Sequence, residues 1–129
     1  MSWKAGLVTR LLADSDIAAL VGDRVEWDDL APDSALPAIT LQTISDPRPQ
    51  THDGFDDFRD TRVQVNCLAR TATEAGALLE LVIPALIPPA FVAGTTFLRS
   101  FVDGGGSDAI QTPTGRRCRE RTDLIIWHN

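Results

Sequence analysis

Phe58-Arg59-Asp60-Thr61-Arg62-Val63-Gln64-Val65-Asn66-Cys67-Leu68-Ala69 is the stretch on which the fold turns. Val63, Val65 and Cys67 alternate with Arg62, Gln64 and Asn66. A strict period of two reads as a strand with one face in a core and the other face polar. A polar strand face meets either solvent or a partner. Ala38–Ser45 repeats the pattern, with Ile39, Leu41 and Thr43 on one face and Thr40, Gln42 and Ile44 on the other. Pro37 stands just before it, where no ladder donor is lost. Residues 95–102 read as a third strand. Residues 118–127 read as the last, with Thr122, Leu124 and Ile126 facing one way and Asp123, Ile125 and Trp127 the other.

Helices flank these strands. Trp3, Leu7 and Leu11, with Val8 and Leu12 beside them, recur at helical spacing. Ser15 is placed to cap a second short helix over residues 16–21, and Gly22 suits its left-handed stop. Thr71-Ala72-Thr73-Glu74 is a capping box, and Ala75, Leu78, Leu79, Val82, Ile83 and Leu86 form one apolar face behind it. Pro84 is expected to kink or end that helix, because it lacks the amide donor and crowds the preceding turn. Arg24-Val25-Glu26-Trp27 reads as a short extended piece. Residues 46–57 read as a long polar loop, the kind that is usually functional. Asp103-Gly104-Gly105-Gly106-Ser107-Asp108 reads as a flexible turn. The pattern predicts an α+β fold: a mostly antiparallel or mixed sheet of about four strands, with two to three helices packed on it, as a single domain over residues 1–129.

The chain has 129 residues, a formal net charge of −6 and a pI near 4.7. That size suits one domain able to bury roughly two-thirds of its unfolded surface. The acidic balance argues against a nucleic-acid clamp, which needs cations to replace phosphate counterions. It allows DNA to slide past an acidic wall without sticking. Cys67 and Cys118 read as two reduced, buried thiols and do not amount to a disulfide framework. No signal peptide and no apolar run long enough to span a bilayer is expected.

Candidate chemistry is sparse. Asp53, Asp56, Asp57 and Asp60 gather near His52, but at no spacing that matches an EF-hand loop or one helix face, so solvated loop charge is the expected role. His52 and His128 are the only histidines. There is no G-x-S-x-G elbow, and the penultimate position of His128 is a poor place for a fixed general base. The glycines at 104–106 lack the Lys-Ser/Thr of a phosphate loop. Arg116, Arg117, Arg119 and Arg121 form the one basic cluster, with Arg119 and Arg121 on a shared strand face. They make a solvated strand face, pair with the many aspartates, or form an electrostatic seam to an acidic neighbouring subunit. Arginines on one flank and aspartates on another would make the chain self-complementary head to tail, as a closed ring requires.

Several segments together resemble a known family. An N-terminal helix precedes Ile17-Ala18-Ala19-Leu20-Val21-Gly22-Asp23-Arg24-Val25. Leu36-Pro37-Ala38-Ile39 leads into a strand, Thr61-Arg62-Val63-Gln64-Val65-Asn66 precedes a Thr-Glu-Ala helix, and Arg119 to Trp127 closes the chain. In order and spacing this is similar to the tail-terminator (tail-completion) proteins of long-tailed phages and gene transfer agents. The resemblance implies a sheet flanked by helices and six copies in a ring. The ring would cap the tail tube, stop its polymerisation and offer a surface to the head connector, with DNA passing through it unread. It implies contact without catalysis, and no cofactor or metal. Asp53, Asp56, Asp57, Arg116, Arg117, Arg119, Arg121 and Trp127 are the candidate subunit or partner contacts, Trp127 because aromatics are enriched at interface centres. Two other functions fit the residues: a head–tail connector component, and a small metal-dependent hydrolase built on His52 and the nearby acids.

Overall fold

The computed structural model describes residues 2–30, 35–47, 50–51, 54–55, 58–113 and 115–129. At its centre, β5 (Arg59–Ala69) and β9 (Gly115–His128) pair antiparallel without interruption from Arg59↔His128 to Ala69↔Cys118. Side chains alternate along both strands, so this register sets Val63 beside Leu124 and Thr61 beside Ile126 on one buried face. Arg62, Gln64 and Asn66 meet Ile125, Asp123 and Arg121 on the other.

β2 (Ala38–Ser45) lies antiparallel on β5, and β1 (Val25–Trp27) lies parallel on β2 at that edge. Beyond β9 come β7 (Thr95–Phe97) and β6 (Ala90–Val92), paired near His128. β8 (Phe101–Thr112) runs along the rest of the same side of β9. The strand order is β1-β2-β5-β9-β7-β6, with β8 on β9, making a seven-stranded sheet; β3 (Gln50–Thr51) and β4 (Gly54–Phe55) pair separately. The four expected strands thus become nine among the described residues. The added ones are short, or interrupted by glycine, and show no alternation to read.

The helices cover one face. α1 (Trp3–Leu12) buries Trp3, Leu7 and Leu11, and Ser2 caps it by accepting from the Ala5 amide. α2 (Ser15–Val21) begins one residue earlier than expected. Asp14, not Ser15, is its cap, accepting from the amides of Asp16 and Ile17. Gly22 follows at φ 64° and ψ −113°, a positive-φ conformation that favours glycine but is not the expected left-handed helical one. α3 (Ala72–Leu86) starts at the Thr71 cap and buries Ala75, Leu78, Val82 and Leu86 against β5 and β9.

Pro84 does not end α3, which continues to Leu86. The carbonyl it leaves unpaired belongs to Glu80, and Glu80 and Pro84 are both exposed, so water can satisfy it. The buried Leu86 then holds the last turn to the core. Residues 103–108 are a second correction: they lie inside β8, and the chain reverses between Thr112 and Gly115. The glycines accommodate a bulge in the ladder between Val102 and Gly105. Gly104 sits at φ 100°, and a Cβ on Gly105 would come within 2.8 Å of the Arg121 carbonyl oxygen.

Both cysteines are free and buried. Burial, with a smaller contribution from the charge on Glu120, pushes the Cys67 thiol up to about 12. His128 is held firmly despite its position near the end of the chain. It is fully buried, with its ring stacked on Trp3 at 4.2 Å and tilted against Phe97 at 6.4 Å. Thr61 Oγ1 donates to Asp46 Oδ1 at 2.9 Å, so it can only accept from Nε2 of His128, 2.7 Å away. The histidine is a clasp between the last strand and the N-terminal helix.

Candidate functional site

The face of the sheet away from the helices is where the polar half of the alternation collects. Its side chains stand in rows across the strands. One row runs Gln42, Gln64, Asp123. The next runs Glu26, Thr40, Asn66, Arg121 and ends at Gly106. The next runs Ala38, Leu68, Arg119, Asp108. Asn66 Nδ2 donates to Thr40 Oγ1 at 3.1 Å, and Gln64 Nε2 donates to Asn66 Oδ1 at 2.9 Å, so the middle of the face is tied by side-chain bonds. Leu30, Leu36, Ala38 and Leu68 form a small apolar cluster at one end.

Charge on this face is organised by strand register. Arg119 takes both carboxylate oxygens of Asp108, its cross-strand partner, with Nε to Oδ1 at 2.9 Å. Arg62 pairs with Asp103 and, at 3.4 Å, with Asp123. Partly exposed pairs of this kind add little to stability and more to orientation. Between the segment after β1 and the β8–β9 hairpin lies an open groove of about 290 Å³. Asp28 and Asp29 form one wall, Asp108, Arg117 and Arg119 the other, and Thr40 and Asn66 are among the floor residues.

Arg121 differs from its neighbours. Its guanidinium lies across Gly106, so closely that a Cβ there would stand 3.0 Å from Nε and 3.1 Å from Nη2. Among the described residues no carboxylate pairs with it. The missing side chain at 106 lets this cation reach toward the free edge of β8.

Of the expected contact residues, Arg117, Arg119 and Arg121 stand together on the open face, and Arg116, one step out of phase, is exposed. Arg70 Nη1 donates to the Arg116 carbonyl and braces the hairpin. Trp127 is half-buried on the open face, paired in register with Asp60. Asp53, Asp56 and Asp57, with His52, lie outside the described residues. Sequence reasoning missed the Arg62–Asp103–Asp123 cluster and the acids at β1. The alternation of Arg62 with Gln64 marked the first for the polar face, but its partners are fixed only by pairing across forty residues or more. Among the described residues no three His, Cys, Asp or Glu side chains gather as metal ligands. No described helix is long and apolar enough to cross a membrane. The face offers charge, hydrogen-bond donors and exposed strand edge, which are the means of binding another protein surface.

The fold has a solved counterpart. A chain of the virion of a native gene transfer agent particle superposes with a TM-score of 0.60 at 18% identity, over 95% of this chain and 92% of that one. No curated protein matches the sequence. A family model described as tail completion protein gp17 matches residues 5–124. The chain therefore belongs to the tail completion protein gp17 family, a family of phage tail structural proteins and not of enzymes.

Proposed function

We propose that this protein is a tail terminator. Six copies close into a ring that caps the tail tube, stops its polymerisation and joins it to the head connector, with DNA passing through without sequence-specific contact. As a tail completion protein the chain is a virion component that assembles with other tail and head parts. The observation that carries the finer reading is the family match over nearly the whole chain, on a fold also found in a gene transfer agent virion. The polar open face and the long exposed hairpin support it, because they give one small chain contact surface on two sides.

Arg116, Arg117, Arg119, Arg121 and Trp127 are the contacts we assign to the ring and its partners from the described residues. Asp53, Asp56 and Asp57 are assigned on sequence alone. Mass photometry of the purified protein, alone and with tail tubes, tests the reading. Ring-sized particles or tube-bound protein are expected. A strictly monomeric protein that leaves tubes bare would end it.

A further inference from the structure

Among the described residues β1, β6 and β8 are the edge strands of the large sheet, and two of them, β1 and β8, are charge-matched in register. β1 lies on one side of the sheet and β8 on the other, and among the described residues neither has a strand on its outer side. β8 is exposed along almost its whole length, with Phe101, Val102 and Ile110 all more than half exposed. Its distal part, with the start of β9, runs past Cys118, the last residue of β9 that pairs with β5. A two-stranded ribbon with so little of its own chain against it gains stability from a third strand. An unpaired edge of this length is a template for one.

The row that holds Arg121 decides which strand fits. It starts with Glu26 on β1, exposed and without a described cationic partner, and crosses Thr40 and Asn66. It ends with Arg121 laid over Gly106 on β8. Its two ends therefore carry opposite charges at opposite edges. In the neighbouring row Asp108 lies two residues along β8 and Arg24 two residues before Glu26, but Arg119 already holds Asp108, and the Leu20 and Pro37 carbonyls hold Arg24, so the row of Glu26 and Arg121 carries the match. Strand directions agree as well. β1 runs parallel to β2, and three antiparallel steps lead from β2 to β8, so β1 and β8 point in opposite senses.

We propose that β8 of one copy lies antiparallel beside β1 of a second copy of this chain, with Arg121, carried across Gly106, meeting the second copy's Glu26. The contact is heterologous, so repeating it closes a ring when the rotation allows. It rests on the ring reading above and adds to it the joining surface, the partner strand and the register.

Charge reversal in the full chain tests this by mass photometry, alone and with tail tubes. Arg121→Glu leaves both edges acidic at this row, and Glu26→Arg leaves both basic. Each variant alone is expected to weaken self-association by about tenfold or more. Mixing the two single variants restores assembly, because every junction then pairs opposite charges, and the double variant restores it in one chain. That recovery also shows that the single variants fold. If wild-type protein assembles and the single variants assemble equally well, the edge-to-edge contact is overturned while the ring stands. A double variant that melts like wild type yet stays dissociated also overturns the contact. Wild-type protein that stays monomeric and leaves tubes bare removes both readings.

Discussion

Val63, Val65, Leu124 and Ile126 are fully buried beneath the helices, while Arg62, Gln64, Arg121 and Asp123, on the same two strands, are only half-covered. The helix face is apolar and closed. The open face is polar, joined by pairs such as Arg62 with Asp123, and ends in a cation with no described acid. The two faces share one backbone ladder, so any difference in their response to substitution comes from the side chains. Burial holds the first face, and its loss should appear in stability. The second face contributes little to folding, and its loss should appear in association.

Four measurements can break that contrast. Leu124→Ala opens a cavity in the closed face and should cost about 2–5 kcal/mol by denaturant titration; a loss below 1 kcal/mol would mean this face is not the core. Thr61→Val keeps the shape of the residue but takes the acceptor from His128 Nε2 and the donor from Asp46 Oδ1. We expect a loss of about 1–3 kcal/mol, and none at all would show that the clasp is idle.

Cys67 sharpens the comparison through pH. Its folded-state pKa, about 12, lies above the ordinary value of 9.0. The unfolded chain therefore gives up this proton first, and the stability is complete below pH 9 and lost as pH rises toward 12. Between pH 8 and pH 10 wild type should lose about 1.4 kcal/mol more than Cys67→Ala; parallel curves would show that the thiol is not held neutral. The smallest effect belongs to the open face. Arg119→Ala breaks the bidentate pair with the partly exposed Asp108 and should change stability by about 1 kcal/mol or less. A larger loss would mean that this face carries folding as well as contact.

How far each part was legible follows from how local its cause is. The buried face of β5 and β9 was readable because Val63, Val65, Leu124 and Ile126 repeat every second residue. The cap of α3 was readable because Thr71 lies three residues from its donor. The run Gly104–Gly106 was misread as a turn because glycine marks both turns and bulges, and only the facing Arg121 carbonyl and Thr122 distinguish them. Of the two outcomes expected at Pro84, a kink or a stop, the stop does not occur, because its cost depends on whether the Glu80 carbonyl meets water. His128 looked loose because nothing in its neighbourhood along the chain announces Trp3 or Thr61.

Alternation, capping residues and the spacing of apolar positions were enough to set the α+β class, the helix-covered face and the polar face of β5, since each depends on residues a few positions apart. The order β1-β2-β5-β9, the pairing of Arg62 with Asp103 and Asp123, and the row from Glu26 to Arg121 belong to the tertiary structure alone. They join residues from 14 positions apart, as in Glu26 and Thr40, to nearly a hundred, as in Glu26 and Arg121, and the register that aligns them comes from burying one face of every strand at once.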